Sequence, residues 1–202
     1  MDKINQVKEA LEKNNMKTYL AKDKTKACEI VFNMIDKTDS IGTGGSITLD
    51  ECGIRQKLRD EKYNFLDWSQ EITPEEKDKI LHEILSCDVF LTSSNSITLD
   101  GRLFNVDGRG NRMAAVIYGP KKVIVVAGKN KIVKDLLEAR ERMDTISAPL
   151  NVKRLNKNTP CATIGHCVDC ESPDRICRHT VITERQAPGR ISVVLVDEEL
   201  GI

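Results

Sequence analysis

Ile4, Val7, Ala10 and Leu11 recur at helical spacing with Lys and Glu between them, so the chain opens on an amphipathic helix ending near Asn14-Asn15. Lys17–Ala21 reads as a short strand. A second helix is expected from about Lys24 to Ile35, burying Ala27, Ile30, Val31 and Met34. The strand Ser40-Ile-Gly42 follows, then the loop Gly42-Thr-Gly-Gly-Ser46. After the loop, Ile47, Leu49, Ile54 and Leu58 predict a helix with Ser46 as its N-cap. Tyr63–Trp68 reads as a strand. Thr73-Pro74-Glu75-Glu76 starts a helix with a capping residue, a proline in the first turn and acids near the positive end of the dipole.

Val89–Thr92 is the next strand, and residues 97–107 predict a hairpin turned at Asp100-Gly101. Met113–Tyr118 reads as a helix stopped by Gly119-Pro120. Val-Ile-Val-Val within Lys122–Ala127 is apolar on both faces, as a central parallel strand requires. A helix from about Lys131 to Met143 is expected to bury Val133, Leu136, Leu137 and the stem of Arg140. The last strand, Arg190–Val196, comes after a long irregular stretch. Strands alternating with helices across short connections predict an α/β fold: a mostly parallel sheet with helices on both faces. The whole chain, 1–202, is expected to form one domain containing an irregular Cys-rich segment at 158–180.

Composition adds mainly exclusions. Thirty-one basic and thirty-one acidic residues cancel, so no global field draws in nucleic acid or an anionic membrane. Lys121, Lys122, Lys129, Lys131 and Lys134 form a local basic run, read as a solvated helix face and strand edge. No apolar stretch approaches the roughly 20 residues of a membrane span. The amphipathic N-terminus is not a signal peptide, and seven cysteines are an odd count, so the expected location is the reducing cytoplasm.

The cysteines carry one candidate chemistry. Cys161, Cys167, Cys170 and Cys177 are spaced C-x5-C-x2-C-x6-C, and a C-x2-C pair places two thiolates on one tight turn. Four thiolates suit zinc or an iron–sulfur cluster, with His166 and His179 close by in sequence. The alternative is a set of reduced thiols in a loop. Cys28, Cys52 and Cys87 fall on helix or helix-end patterns and read as small core residues.

The small-residue loops carry another. Gly42, Thr43, Gly44, Gly45 and Ser46 follow one strand, and Ser94, Asn95 and Ser96 follow another; each leaves backbone N–H groups bare enough to hold an anion. Each loop leads into the pentapeptide Ser-Ile-Thr-Leu-Asp, at 46–50 and again at 96–100, the first copy starting a helix and the second entering a hairpin. No Walker or dinucleotide pattern is present, so no nucleotide cofactor is expected. Arg109, Gly110, Asn111 and Arg112 add guanidinium and amide groups that suit a carboxylate or phosphate. Asp100 and Asp107 are candidate general bases, although Asp-Gly is also a common turn.

Taken together, Gly42-Thr-Gly-Gly-Ser-Ile-Thr48, Ser94-Asn-Ser-Ile-Thr-Leu-Asp-Gly101, Asn105-Val-Asp-Gly-Arg-Gly-Asn-Arg112 and Tyr118-Gly-Pro-Lys-Lys-Val-Ile-Val-Val-Ala-Gly128 resemble the lactate-utilisation (LUD) domain. The resemblance implies a fold like ribose-5-phosphate isomerase, glucosamine-6-phosphate deaminase and CoA transferases, whose small-residue loops hold phosphate or carboxylate groups. It implies a part in L-lactate oxidation to pyruvate, as an accessory or electron-transfer subunit beside iron–sulfur partners, with a small anionic metabolite bound. Arg102-Leu103 replaces the Ala-Asp that follows Asp-Gly in the isomerases, which argues against sugar-phosphate isomerisation. Other open readings are an isomerase- or transferase-type enzyme for a phosphorylated or acylated metabolite, and a redox- or metabolite-sensing module.

Overall fold

A computed structural model describes residues 3–202. Its main sheet has six strands, all parallel: β1 (Lys17–Ala21), β2 (Ser40–Thr43), β3 (Asn64–Leu66), β4 (Val89–Thr92), β7 (Lys122–Gly128) and β10 (Ile191–Val196). They lie in the order β1-β10-β7-β4-β2-β3, which puts the Val-rich β7 in the interior as its two apolar faces require.

Alternation along β7 divides the core. Val123, Val125 and Ala127 pack on one face with Ile4, Val7 and Leu11 of α1 (Lys3–Lys13) and with Leu81 of α5 (Pro74–Glu83). Ile124 and Val126 pack on the other with Ala27 and Val31 of α2 (Lys24–Phe32), Leu49 of α3 (Ile47–Glu51), and Ile54 and Leu58 of α4 (Ile54–Asp60). Helices therefore cover both faces. The helix expected to run on from Ser46 is broken between α3 and α4, where Gly53 adopts φ 69°, a left-handed conformation that glycine takes without steric cost. The α5 start has the full capping box: Glu76 N donates to Thr73 Oγ1 at 3.2 Å, and Thr73 N donates to the Glu76 carboxylate at 2.8 Å.

A second, smaller sheet was not foreseen. It has the order β8-β5-β6-β9, from β5 (Ser96–Thr98), β6 (Leu103–Asp107), β8 (Ile132–Val133) and β9 (His179–Thr183). The expected hairpin is its centre, with β5 and β6 antiparallel. Gly101 turns it at φ 80°, and an added Cβ there would lie 2.5 Å from the Ala10 backbone of α1. Phe104, Val106 and Val133 of this sheet pack with Ala139 of α7 (Leu136–Arg142) and with Met143 and Ala148.

Two expectations change here. The helix placed from Lys131 begins only at Leu136, because Asp135 caps it through Leu137 N and Glu138 N and residues 132–133 join the second sheet. Leu137 points outward at 79% exposure, since the buried face of that short helix is carried by Ala139 and Arg142. The stretch read as irregular contains α8 (Ala148–Arg154), α9 (Pro160–Ile164) and β9, whose pairing with β6 is long-range and leaves no local signature. No helix among the described residues is long and apolar enough to cross a membrane.

Candidate functional site

The carboxyl ends of β7, β4 and β2 are adjacent, and each opens into a short segment rich in polar groups. In parallel sheets ligands collect outside these ends. Gly45 and Ser46 after β2, Ser93, Ser94 and Asn95 after β4, and Lys131 after β7 all line one cleft of about 660 Å³. Asp107, Arg109, Asn111 and Arg112 form a further wall, from the end of β6 into α6 (Asn111–Ile117), and Asn151 and Arg154 of α8 stand nearby. The two small-residue loops thus share a single cleft.

Not every candidate faces it. Gly42 lies within β2, where an added Cβ would be 2.7 Å from Ile84, so it is a packing glycine. Thr43 is buried, and its carbonyl accepts a bond from Trp68 Nε1 at 2.7 Å. Gly44 serves the site indirectly: a Cβ there would lie 3.0 Å from Arg112 Cδ and from Thr92 Oγ1, so glycine leaves the path of the Arg112 stem open. Ser96 is buried within β5, and Gly110 is the left-handed residue (φ 88°) that starts α6. Asp100 lies in a separate depression with Asn14, Lys134 and Arg185. There it pairs with Arg102, which holds its carboxyl below the usual range, and it accepts a short bond from Thr98 Oγ1.

The electrostatics of the cleft are one-sided. Arg55, Lys77, Arg109, Arg112, Lys131, Arg154 and Lys157 line it against a single acidic side chain, Asp107. A chain neutral overall concentrates cations in one concavity, where low-dielectric walls focus their field. Arg55 is matched by Asp50 and also donates to Ser46 O at 3.2 Å. Arg112 is the keystone of the loops. Its Nη1 donates to Ser93 O at 3.2 Å and to Asn105 Oδ1 at 2.8 Å; its Nη2 donates to Asn95 Oδ1 at 3.1 Å and to Val106 O at 2.8 Å. Burial presses on its charge, and Asp107 opposes that pressure.

Lys131, which the sequence places in a solvated basic run, is 3% exposed. Its Nζ donates to Thr48 Oγ1 and Ser93 Oγ, each at 2.9 Å, and no described carboxylate bonds it. Burial, with Arg142 and Arg112 nearby, pushes its pKa down from 10.5 to about 7 against weaker support from Glu51 and Cys52. Arg142 is buried as well, and its partners are neutral: Asn95 O at 2.9 Å, Ser147 Oγ at 2.7 Å and Asn130 O at 3.2 Å. The clue to Lys131 available in the sequence was its place, three residues beyond the end of the central strand. Arg142 left no comparable trace.

Asp107 is engaged on both oxygens. Its Oδ1 accepts from Arg109 N at 3.1 Å and Gly110 N at 2.8 Å, and its Oδ2 lies 3.4 Å from Arg112 Nε. These contacts engage oxygens that a general base would need free.

The four-thiolate arrangement expected at Cys161, Cys167, Cys170 and Cys177 is not preformed. Among the described residues, no group of three or more His, Cys, Asp or Glu side chains is placed to hold a metal ion. Cys161 is buried in α9 with its Sγ 3.3 Å from Thr159 Oγ1. Cys167 Sγ accepts from Asp169 N at 3.4 Å. Burial pushes the Cys177 thiol up; Arg175 opposes this, and the neighbouring Cys167 and Cys170 add to it. Arg175 fills the space among these turns, donating to Cys170 O at 2.7 Å and Cys177 O at 3.0 Å.

Fold and cleft together define an α/β protein with a cation-lined cleft at the carboxyl ends of a parallel sheet. The chain belongs to the LUD domain family, whose model matches residues 4–196. No curated protein matches it. Among solved structures it is similar to a DUF162 family protein from Deinococcus radiodurans, at 12% identity, TM-score 0.58 and 96% coverage of each chain. Weaker likenesses are to ribose 5-phosphate isomerase A from Methanocaldococcus jannaschii (16% identity, 65% of this chain and 64% of that one, TM-score 0.38) and to a D-ribose-5-phosphate isomerase in complex with phospho-erythronic acid (15%, 67% and 66%, 0.35).

Proposed function

We propose that this LUD-domain protein binds a small anionic metabolite of lactate or related organic-acid metabolism in the cleft between Ser46, Ser94 and Arg112, as an accessory component of that oxidation. The supporting observation is the charge imbalance: Arg112 and Lys131 line the cleft largely shielded from solvent, Asp107 is the one acidic side chain that lines it, and no described carboxylate bonds Lys131. Buried cations held by neutral groups are costly in the free protein. An arriving carboxylate or phosphate relieves that cost and takes bonds from bare loop amides.

The volume of the cleft supports a second reading. A cleft of about 660 Å³ is in the range that accommodates molecules much larger than a three-carbon acid, so a phosphorylated or acylated metabolite fits it better than lactate alone. Thermal unfolding with lactate, pyruvate, inorganic phosphate and a sugar phosphate separates the readings. Stabilisation by carboxylates alone favours the first, and stabilisation by phosphorylated compounds alone favours the second. No shift with any anion sinks both.

An electron-transfer role through zinc or iron–sulfur ligated by Cys161, Cys167, Cys170 and Cys177 rests on their spacing, and those side chains have to rearrange to share a metal. Anaerobic purification followed by metal analysis and a visible spectrum tests it. Metal-free protein that remains folded removes that role.

A further inference from the structure

The buried lysine is poorly explained as a mere charge anchor. Arg112 and Arg142 already place permanent positive charge beside it, and a guanidinium holds a carboxylate or phosphate with better geometry than an ammonium. Lys131 is the member of this trio that can shed a proton. We propose that Lys131 is a carbonyl-reactive amine, its Nζ forming an imine with an aldehyde or ketone metabolite that also carries a carboxylate or phosphate. This rests on the anion-binding reading of the same cleft and adds the chemistry of its ligand.

The geometry supplies the parts. Lys131 lines the cleft, and its Nζ is fixed by the Thr48 and Ser93 hydroxyls, each 2.9 Å away, without a carboxylate that would lock it as a salt bridge. The charged and titratable groups around it are Arg142, Arg112, Glu51 and Cys52, and the cations outweigh the acid. Glu51 is also occupied by Gly201 N at 2.6 Å. The backbone at Gly201 closes over the amine: an added Cβ would lie 2.4 Å from Thr48 Oγ1 and 3.1 Å from Nζ. That cover limits water, which would hydrolyse an imine.

Counted from the ammonium, the step balances without an oxidant. One proton leaves Nζ, the freed lone pair attacks the carbonyl carbon, and the carbonyl oxygen takes up protons and departs as water. The nitrogen loses two of its three protons to that water and keeps one, giving a protonated imine. The Ser93 and Thr48 hydroxyls are within hydrogen-bond reach of Nζ to relay protons between nitrogen and oxygen. A pKa of about 7 leaves a large neutral fraction near neutral pH.

Pyridoxal 5′-phosphate is the probe, because it joins an aldehyde to a phosphate; pyridoxal is the same aldehyde without the anion. The full chain is treated with each, reduced with borohydride and mapped by peptide mass spectrometry. The phosphate probe is expected to label Lys131 at least about tenfold faster than any other lysine, because ordinary lysines are almost wholly protonated. Inorganic phosphate should suppress that label, pyridoxal should give little of it, and its rate should rise with pH and level off above about 7. Lys131→Met should lose it. Mapping on the wild-type chain keeps the result interpretable if that variant folds poorly. Labelling spread over exposed lysines overturns the proposal. Phosphate binding, read by thermal shift, without trapping at Lys131 overturns the imine and leaves the anion site standing; neither binding nor trapping overturns both.

Discussion

Lys131→Met turns the burial of one cation into a measurable pH dependence. In the folded protein Lys131 titrates near 7, down from 10.5, so between those values the unfolded chain holds a proton that the folded one has released. Stability must therefore rise with pH through that window. The full displacement is worth about 5 kcal/mol, and integrating from about pH 6 to about pH 8.5 gives a rise of about 2 kcal/mol from this residue. Methionine fills a similar volume without a charge, leaving Thr48 and Ser93, whose oxygens lie 3.5 Å apart, to hydrogen-bond each other. The assay is urea unfolding of both proteins across that range. Cys87, whose burial raises it to about 11 and which has no part in the Lys131 surroundings, titrates alike in both and cancels in the difference. The variant should gain on the wild type at low pH and lose that advantage as pH rises. Parallel stability curves would refute the claim that Lys131 is buried as an unpaired cation.

Other substitutions probe the supporting structure. Gly44→Ala puts a methyl group 3.0 Å from Arg112 Cδ and Thr92 Oγ1; displacing that stem should cost about 1–3 kcal/mol in urea unfolding and weaken anion binding. Asp107→Asn keeps an acceptor for Arg109 N and Gly110 N but removes the one acid lining the cleft, so phosphate affinity measured by calorimetry should rise. If Asp107 is instead a general base, any turnover would be lost while binding holds. Gly101→Ala forces a left-handed residue against the α1 backbone and should destabilise by about 3 kcal/mol or more on thermal melting, with cleft binding unchanged in the surviving folded fraction.

Local signals carried much of the fold. The strands of the main sheet and the Thr73 capping box are written in short-range periodicity and capping chemistry, and the structure agrees with them. The repeated Ser-Ile-Thr-Leu-Asp divides as its flanks suggested: Ser46 caps α3, and the second copy enters the β5–β6 hairpin. What escaped depends on distant partners. β9 is paired with β6 across more than seventy residues of chain, and β8 is two residues paired with β5. Lys131 and Arg142 resemble surface cations in sequence; Gly201 and Ser93 close on Lys131, and Asn95, Asn130 and Ser147 hold Arg142, all of them distant or loop partners that the sequence does not announce. Asp100 shows the converse, since its Asp-Gly turn packs against α1 away from the cleft.

Backbone amide NMR, titrated with inorganic phosphate and then with pyruvate, tests the shared anion cleft most directly. Saturable shifts are expected at the amides of Gly45, Ser46, Ser94, Asn95 and Asn111, brought together from three separate segments. Shifts confined to the Asp100 and Lys134 depression, or scattered over exposed lysines without saturation, would contradict it.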